Sequence, residues 1–123
     1  MRPAVLPALA LVGALVTAPS AALADPDPKK GEDIYQDRCS LCHPADGVGQ
    51  GPNLAGVVGR KAAGAPGFPY TDALKMSGLT WTPQTLSKFL TGPMDMVPGT
   101  TMPMSVPDAG ERADLIAYLA SRK

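Results

Sequence analysis

Apolar residues recur at helical spacing in three stretches of the chain and alternate like a strand in none. The first runs from about Pro28 or Lys29 to Leu41, with Ile34, Tyr35 and Arg38 three and four positions apart. The second follows Thr82-Pro83, a start signal with Thr82 as N-cap and Pro83 at the first helical position. It carries Leu86, Phe89 and Leu90 on one face and stops at Gly92-Pro93. The third starts at Asp108, where a capping box with Glu111 is expected, and shows a stripe of Leu115, Ile116, Leu119 and Ala120 with Tyr118 at its margin. Arg122 and Lys123 are expected to end it at the favourable pole of the helix dipole. Tyr70 to Gly78 reads as a short helix and turn. Between these lie a glycine-rich loop, Gly47 to Gly67, with Leu54, Val57 and Val58 as packing residues, and a proline-stiffened loop, Pro98 to Pro107. The pattern predicts an all-α fold without repeats.

Pro3 to Ala24 does not fit this scheme. It is 22 residues without a charge, preceded by Arg2 and ending Ala22-Leu23-Ala24. That is the pattern of a secretory signal peptide, expected to be cleaved after Ala24, with a retained anchor as the alternative. The division is then residues 1–24 as signal and 25–123 as one domain, placed in the periplasm. The 123 residues carry 11 basic and 11 acidic side chains, and loss of Arg2 leaves a mature chain near −1. No positive field speaks for nucleic acid, and cleavage leaves no membrane insertion.

An exported domain of 99 residues is usually helped by disulfides, yet the only cysteines are Cys39 and Cys42, too close to restrain much chain. The pentapeptide Cys39-Ser40-Leu41-Cys42-His43 supplies another source of stability, because C-x-x-C-H is the attachment signal of a c-type haem. The thiols form thioethers with the vinyl groups, and His43 becomes an axial ligand of the iron. The alternatives are a thioredoxin-like dithiol, which wants an α/β context, and a zinc half-site, which here could be completed only by carboxylates.

His43 is the only histidine, so a sixth iron ligand has to be another soft or nitrogenous group, and a Met thioether is the usual choice in an electron carrier. The mature chain offers Met76, Met94, Met96, Met102 and Met104. The stiff loop favours Met102 and Met104, and pattern alone does not separate them.

Taken in order, the segments Gly31-Glu32-Asp33-Ile34-Tyr35 with Cys39-Ser40-Leu41-Cys42-His43, Gly51-Pro52-Asn53-Leu54 with Gly59-Arg60-Lys61, Ala65 to Asp72 running on to Leu79-Thr80-Trp81, Pro98-Gly99-Thr100-Thr101-Met102, and Arg112 to Leu119 resemble a class I c-type cytochrome. The group is that of mitochondrial cytochrome c and bacterial cytochromes c2 and c550, and the likeness covers about Gly31 to Lys123. It implies crossed N- and C-terminal helices, with shorter helices and loops wrapped around one haem c. It implies Met102 as distal ligand, with Met104 next, and the Pro52 carbonyl as acceptor of the His43 ring N–H. It places Arg60, Tyr70, Thr71 and Trp81 about the haem propionates, and brings Gly31 and Tyr35 against Leu115 and Tyr118.

Two departures stand out: Phe89 where the family usually has tyrosine and Leu74 where it has asparagine, so the distal hydrogen-bond network is expected to be reduced. There is also no Lys from Leu90 through Ser121, leaving Lys30, Lys61, Lys75 and Lys88 as a partial positive edge. The expected function is one-electron transfer between membrane respiratory or photosynthetic complexes or a periplasmic dehydrogenase. The carrier would be a soluble monomer, not an enzyme, docking transiently by its haem edge. The alternative is a small ligand-binding or peroxidase-like haem protein with a labile sixth ligand.

Overall fold

The computed structural model of the chain describes residues 3–4, 13–20 and 24–123. Most of the segment read as a signal peptide, including Ala22 and Leu23 ahead of the expected cleavage point, lies outside the described residues. Among the described residues there are five helices: α1 (Pro28–Arg38), α2 (Asp72–Met76), α3 (Pro83–Thr91), α4 (Pro93–Met96) and α5 (Ala109–Ser121). The one β feature among them is an isolated bridge between Lys61 and Thr80. The all-α expectation holds, and no helix among the described residues is long and apolar enough to cross a membrane.

Helix α1 begins where Asp27 accepts the amides of Lys29 (2.9 Å) and Lys30 (3.4 Å) and Pro28 occupies the first position. It ends at Arg38, three residues before the expected Leu41. The Tyr35 carbonyl accepts both the Cys39 amide (2.9 Å) and the Ser40 amide (2.8 Å), and the second, wider bond ends the α ladder. The chain then turns tightly, with the His43 amide bonded to the Cys39 carbonyl at 2.8 Å. This early stop turns His43 off the helix axis.

Helices α1 and α5 cross at Gly31. A Cβ there would overlap the Asp114 carbonyl and lie 2.8 Å from Tyr118 Cβ, so only glycine permits the approach. The expected partner Leu115 is buried in the same core, but the backbone that Gly31 meets is that of Asp114. The Tyr35 and Tyr118 rings lie 5.4 Å apart, and Asp114 Oδ1 accepts the Asp27 amide at 2.7 Å. Tyr35 and Leu115 are the most deeply buried large side chains.

Two details of α5 differ from the sequence reading. Asp108 accepts the Glu111 amide at 2.8 Å, but the Glu111 carboxylate does not reach back to close the box. It receives both Nη atoms of Arg38, at 2.8 and 2.9 Å, tying α1 to α5, because a charged fork outcompetes a single amide. Arg122 also lies outside the helix, in an extended conformation, with its guanidinium folded over the tyrosines instead of at the helix pole.

Helix α3 has the expected Thr82 cap, with Thr85 closing the box, and packs Leu86, Phe89 and Leu90 into the core. Gly92-Pro93 stops it, and Pro93 at once opens α4, a turn the sequence reading lacks. The glycine-rich loop is sewn to the stretch before α3 by three backbone bonds: Gly59 N–H to Trp81 O (2.6 Å), Trp81 N–H to Arg60 O (2.8 Å) and Ala62 N–H to Leu79 O (2.8 Å). They bring Arg60 and Trp81 to one wall.

Candidate functional site

The turn after α1, the glycine-rich loop, α2, α3 and the proline-stiffened loop enclose a cavity of about 300 Å³. Its lining is mostly apolar, from Leu54, Val57, Leu74, Trp81, Leu86 and Phe89, as expected of a site for a large, flat, greasy ligand. Cys39, Cys42 and His43 stand on its rim and wall together with Met102 and Met104.

His43 is fixed from three sides. Its Nδ1 lies 2.8 Å from the Pro52 carbonyl, so Nδ1 carries the proton and donates it. The Tyr35 hydroxyl donates to the His43 carbonyl. Behind the ring, a Cβ on Gly51 would overlap Cε1 and lie 2.6 Å from Nδ1 and 2.9 Å from Nε2, so Gly51 is a cradle cut to the imidazole. Burial pushes the imidazole below the usual histidine range, only partly opposed by the Pro52 bond. At neutral pH the ring is uncharged with its lone pair on Nε2, the form a metal needs. Both thiols are free, and burial pushes that of Cys39 up, keeping it protonated until it reacts.

The methionines separate by position. Met76 is 84% exposed, and neither it nor Met94 or Met96 lines the cavity. Met102 is half-buried and packed against the core, whereas Met104 lines the cavity mouth with its side chain exposed.

Arg60, Tyr70, Thr71 and Trp81 all line the cavity, with further work in hand. Arg60 donates from Nη1 to the Ala55 carbonyl (3.1 Å) and from Nη2 to the Asn53 carbonyl (3.0 Å), while its buried Nε has no protein partner. The Tyr70 oxygen accepts the Ala65 amide (3.1 Å), and Thr71 Oγ1 accepts the Leu74 amide (3.3 Å) as the cap of α2, which leaves both hydroxyl protons to be donated. Trp81 packs against Phe89 with ring centres 4.9 Å apart and the rings tilted by 53°. Leu74 and Phe89 also line the cavity, leaving it apolar at those two positions. Sequence reasoning did not assign several lining residues to the site, among them Leu119, Arg38 and Thr100. Leu119 was read only as part of a stripe, Arg38 only as part of a helix face, and Thr100 had no signal beyond its place before Met102.

The donor set fits a haem. A flat apolar slot, a neutral imidazole, thioethers, two thiols and an unpartnered guanidinium N–H each have a counterpart in the ring, iron, vinyl groups and propionates. The alternatives fare worse. Among the described residues no three His, Cys, Asp or Glu side chains gather to complete a zinc site, and no strand precedes Cys39 as a dithiol oxidoreductase would require.

Such a shell defines a covalent haem protein. The chain belongs to the cytochrome c family, whose profile, described as Cytochrome c, matches residues 28–123. It is 44% identical over 118 residues to cytochrome c2 of Rhodomicrobium vannielii, covering 93% of this chain and 94% of that protein. Over 101 residues it is 44% identical to cytochrome c2 of Rhodopila globiformis, covering 79% of this chain and 94% of the relative. Among solved structures it is similar to cytochrome cH from Methylobacterium extorquens, with a TM-score of 0.74 and 43% identity over 78% of this chain and 99% of that one. One haem c is attached through Cys39 and Cys42, and the protein carries electrons and is not an enzyme.

Proposed function

We propose that His43 and Met102 would hold the iron of this haem. Haem c, when bound, supplies a one-electron ferric/ferrous couple. His43, held as one tautomer by Pro52 and Gly51, offers Nε2 without moving a proton. Met102 adds a soft thioether that favours the reduced state. Leu54, Val57, Leu74, Trp81 and Phe89 exclude water, so little rearranges when the charge changes. Arg60 through Nε, with the Tyr70 and Thr71 hydroxyls and Trp81, would hold the propionates and offset their burial. The observation that carries the assignment is the Nδ1 to Pro52 bond, which commits the only histidine to ligation in a cavity that Met102 also lines.

In the same reading residues 1–24 are a cleaved export signal, and the mature chain is a periplasmic monomer. It shuttles electrons among membrane respiratory or photosynthetic complexes or a periplasmic dehydrogenase. Docking uses the edge that exposes Leu41, 90% accessible between the two cysteines, and Met104 at the cavity mouth. The absence of lysine from Leu90 through Ser121 makes this contact weakly salt-dependent.

Carbon monoxide tests the ligand pair. The reduced protein is expected to bind it slowly, Met102→Ala rapidly, and Met104→Ala like the parent. Rapid binding by the parent would instead mark a labile sixth site, and a reversed pair of variants would move the ligand to Met104.

A further inference from the structure

Arg122 was expected at a helix pole and is found elsewhere. Its extended backbone (φ −90°, ψ 116°) lets the side chain fold back over the α1–α5 crossing. Its Cζ lies 5.0 Å from the centre of the Tyr35 ring and 5.8 Å from that of Tyr118, a seat between two aromatic faces. The Arg122 carbonyl accepts the Gly56 amide at 2.9 Å, fixing the residue against the glycine-rich loop. Its Nη1 is buried with no hydrogen-bond partner, and among the ion pairs of the described residues Arg122 has none. The charge is thus held in place, with one Nη buried, and is not neutralised by a counter-ion. It also sits on the ring whose hydroxyl donates to the carbonyl of His43.

A cation fixed in one seat, with part of its guanidinium buried and no counter-ion, is screened less than a freely solvated surface lysine. We propose that Arg122 is a potential-tuning residue. Its charge, seated on Tyr35 behind the His43 loop, favours the state of the iron centre with one positive charge fewer, the ferrous one. The proposal rests on the reading of His43 as iron ligand. Arg122 touches neither iron nor porphyrin in this role and acts through the field it places behind the ligand.

The test is the midpoint potential of the holoprotein and three variants, with urea unfolding of each as a check on folding. Arg122→Gln is expected to lower the potential, shifting the reduced-to-oxidised ratio at fixed applied potential on the order of threefold or more. Arg122→Lys keeps the charge and is expected to retain most of the parent's potential. Lys123→Gln, which removes an adjacent but exposed charge, is expected to change little. Arg122→His gives a reading within one folded sample. Raising the pH through the histidine range removes its charge, and the potential is expected to fall further than the parent's over the same interval. An unchanged potential in Arg122→Gln, an equal fall in Arg122→Lys, or an equal fall in Lys123→Gln would each overturn the proposal. A parent with no one-electron couple would instead overturn the ligand reading beneath it.

Discussion

Gly51→Ala adds one methyl group at the point where the backbone touches the His43 imidazole. Gly51 does not have a positive φ, so alanine meets no backbone penalty there and the effect is steric alone. The new Cβ would overlap His43 Cε1 and lie 2.6 Å from Nδ1, where ordinary contact begins about 3.4 Å apart, so the ring has to move by about 1 Å. Overpacking of this kind costs about 1–3 kcal/mol. The 2.8 Å bond to the Pro52 carbonyl is lost with the movement, at about 1 kcal/mol more. The total of about 2–4 kcal/mol is a large fraction of the stability of a domain this size. The assay is urea unfolding of the holoprotein followed by Trp81 fluorescence and by the Soret band, with a redox titration beside it. Gly56→Ala is the control. Its Cβ meets open space but its φ is +71°, so it is expected to cost about 1 kcal/mol of backbone strain and to leave the iron spectrum unchanged. A Gly51→Ala protein as stable as the parent, with the same spectrum and potential, would refute the account of how His43 is held.

Three other outcomes follow from the same geometry. Arg38→Ala and Glu111→Ala, combined in a double-mutant cycle, are expected to show a coupling of about 0.5–1 kcal/mol in urea unfolding, modest because both side chains are about a third exposed (34% and 37%). Cys39→Ala with Cys42→Ala leaves the cavity of about 300 Å³ without its covalent filling, which at about 24 cal/mol per Å³ is about 7 kcal/mol. Little folded protein is then expected by circular dichroism, and a cooperative fold of near-normal stability would contradict this. Encounter rates with a small redox partner are expected to change little between low and moderate ionic strength in stopped-flow measurements, whereas a steep fall would point to a charged docking face.

The features legible in the sequence are those written in local chemistry. The Thr82-Pro83 start and Gly92 stop of α3, the Asp108 cap and the short helix within Tyr70 to Gly78 each depend on a few neighbouring residues, and each is found where the pattern places it. The errors lie where a distant partner decides. Glu111 leaves its capping box because Arg38, remote in sequence, offers two charged donors. Arg122 leaves the helix pole because two tyrosine faces lie within reach. Helix α1 stops early because its last carbonyls are drawn into the turn that carries His43. Within the site, pattern alone left Met102 and Met104 equal. The structure packs Met102 deeper than Met104, a difference that pattern does not carry because depth is a property of packing. The unpartnered Nε of Arg60 has no counterpart in any sequence pattern.

The central claim is a single covalently held iron centre that exchanges one electron without changing ligands. A potentiometric titration of the purified mature protein, followed through the visible and near-infrared, tests it most directly. The account expects one reversible one-electron wave, a thioether-to-iron band in the oxidised form, and porphyrin that stays with the polypeptide on denaturation. A porphyrin that extracts freely, or an oxidised spectrum without the thioether band, would contradict it.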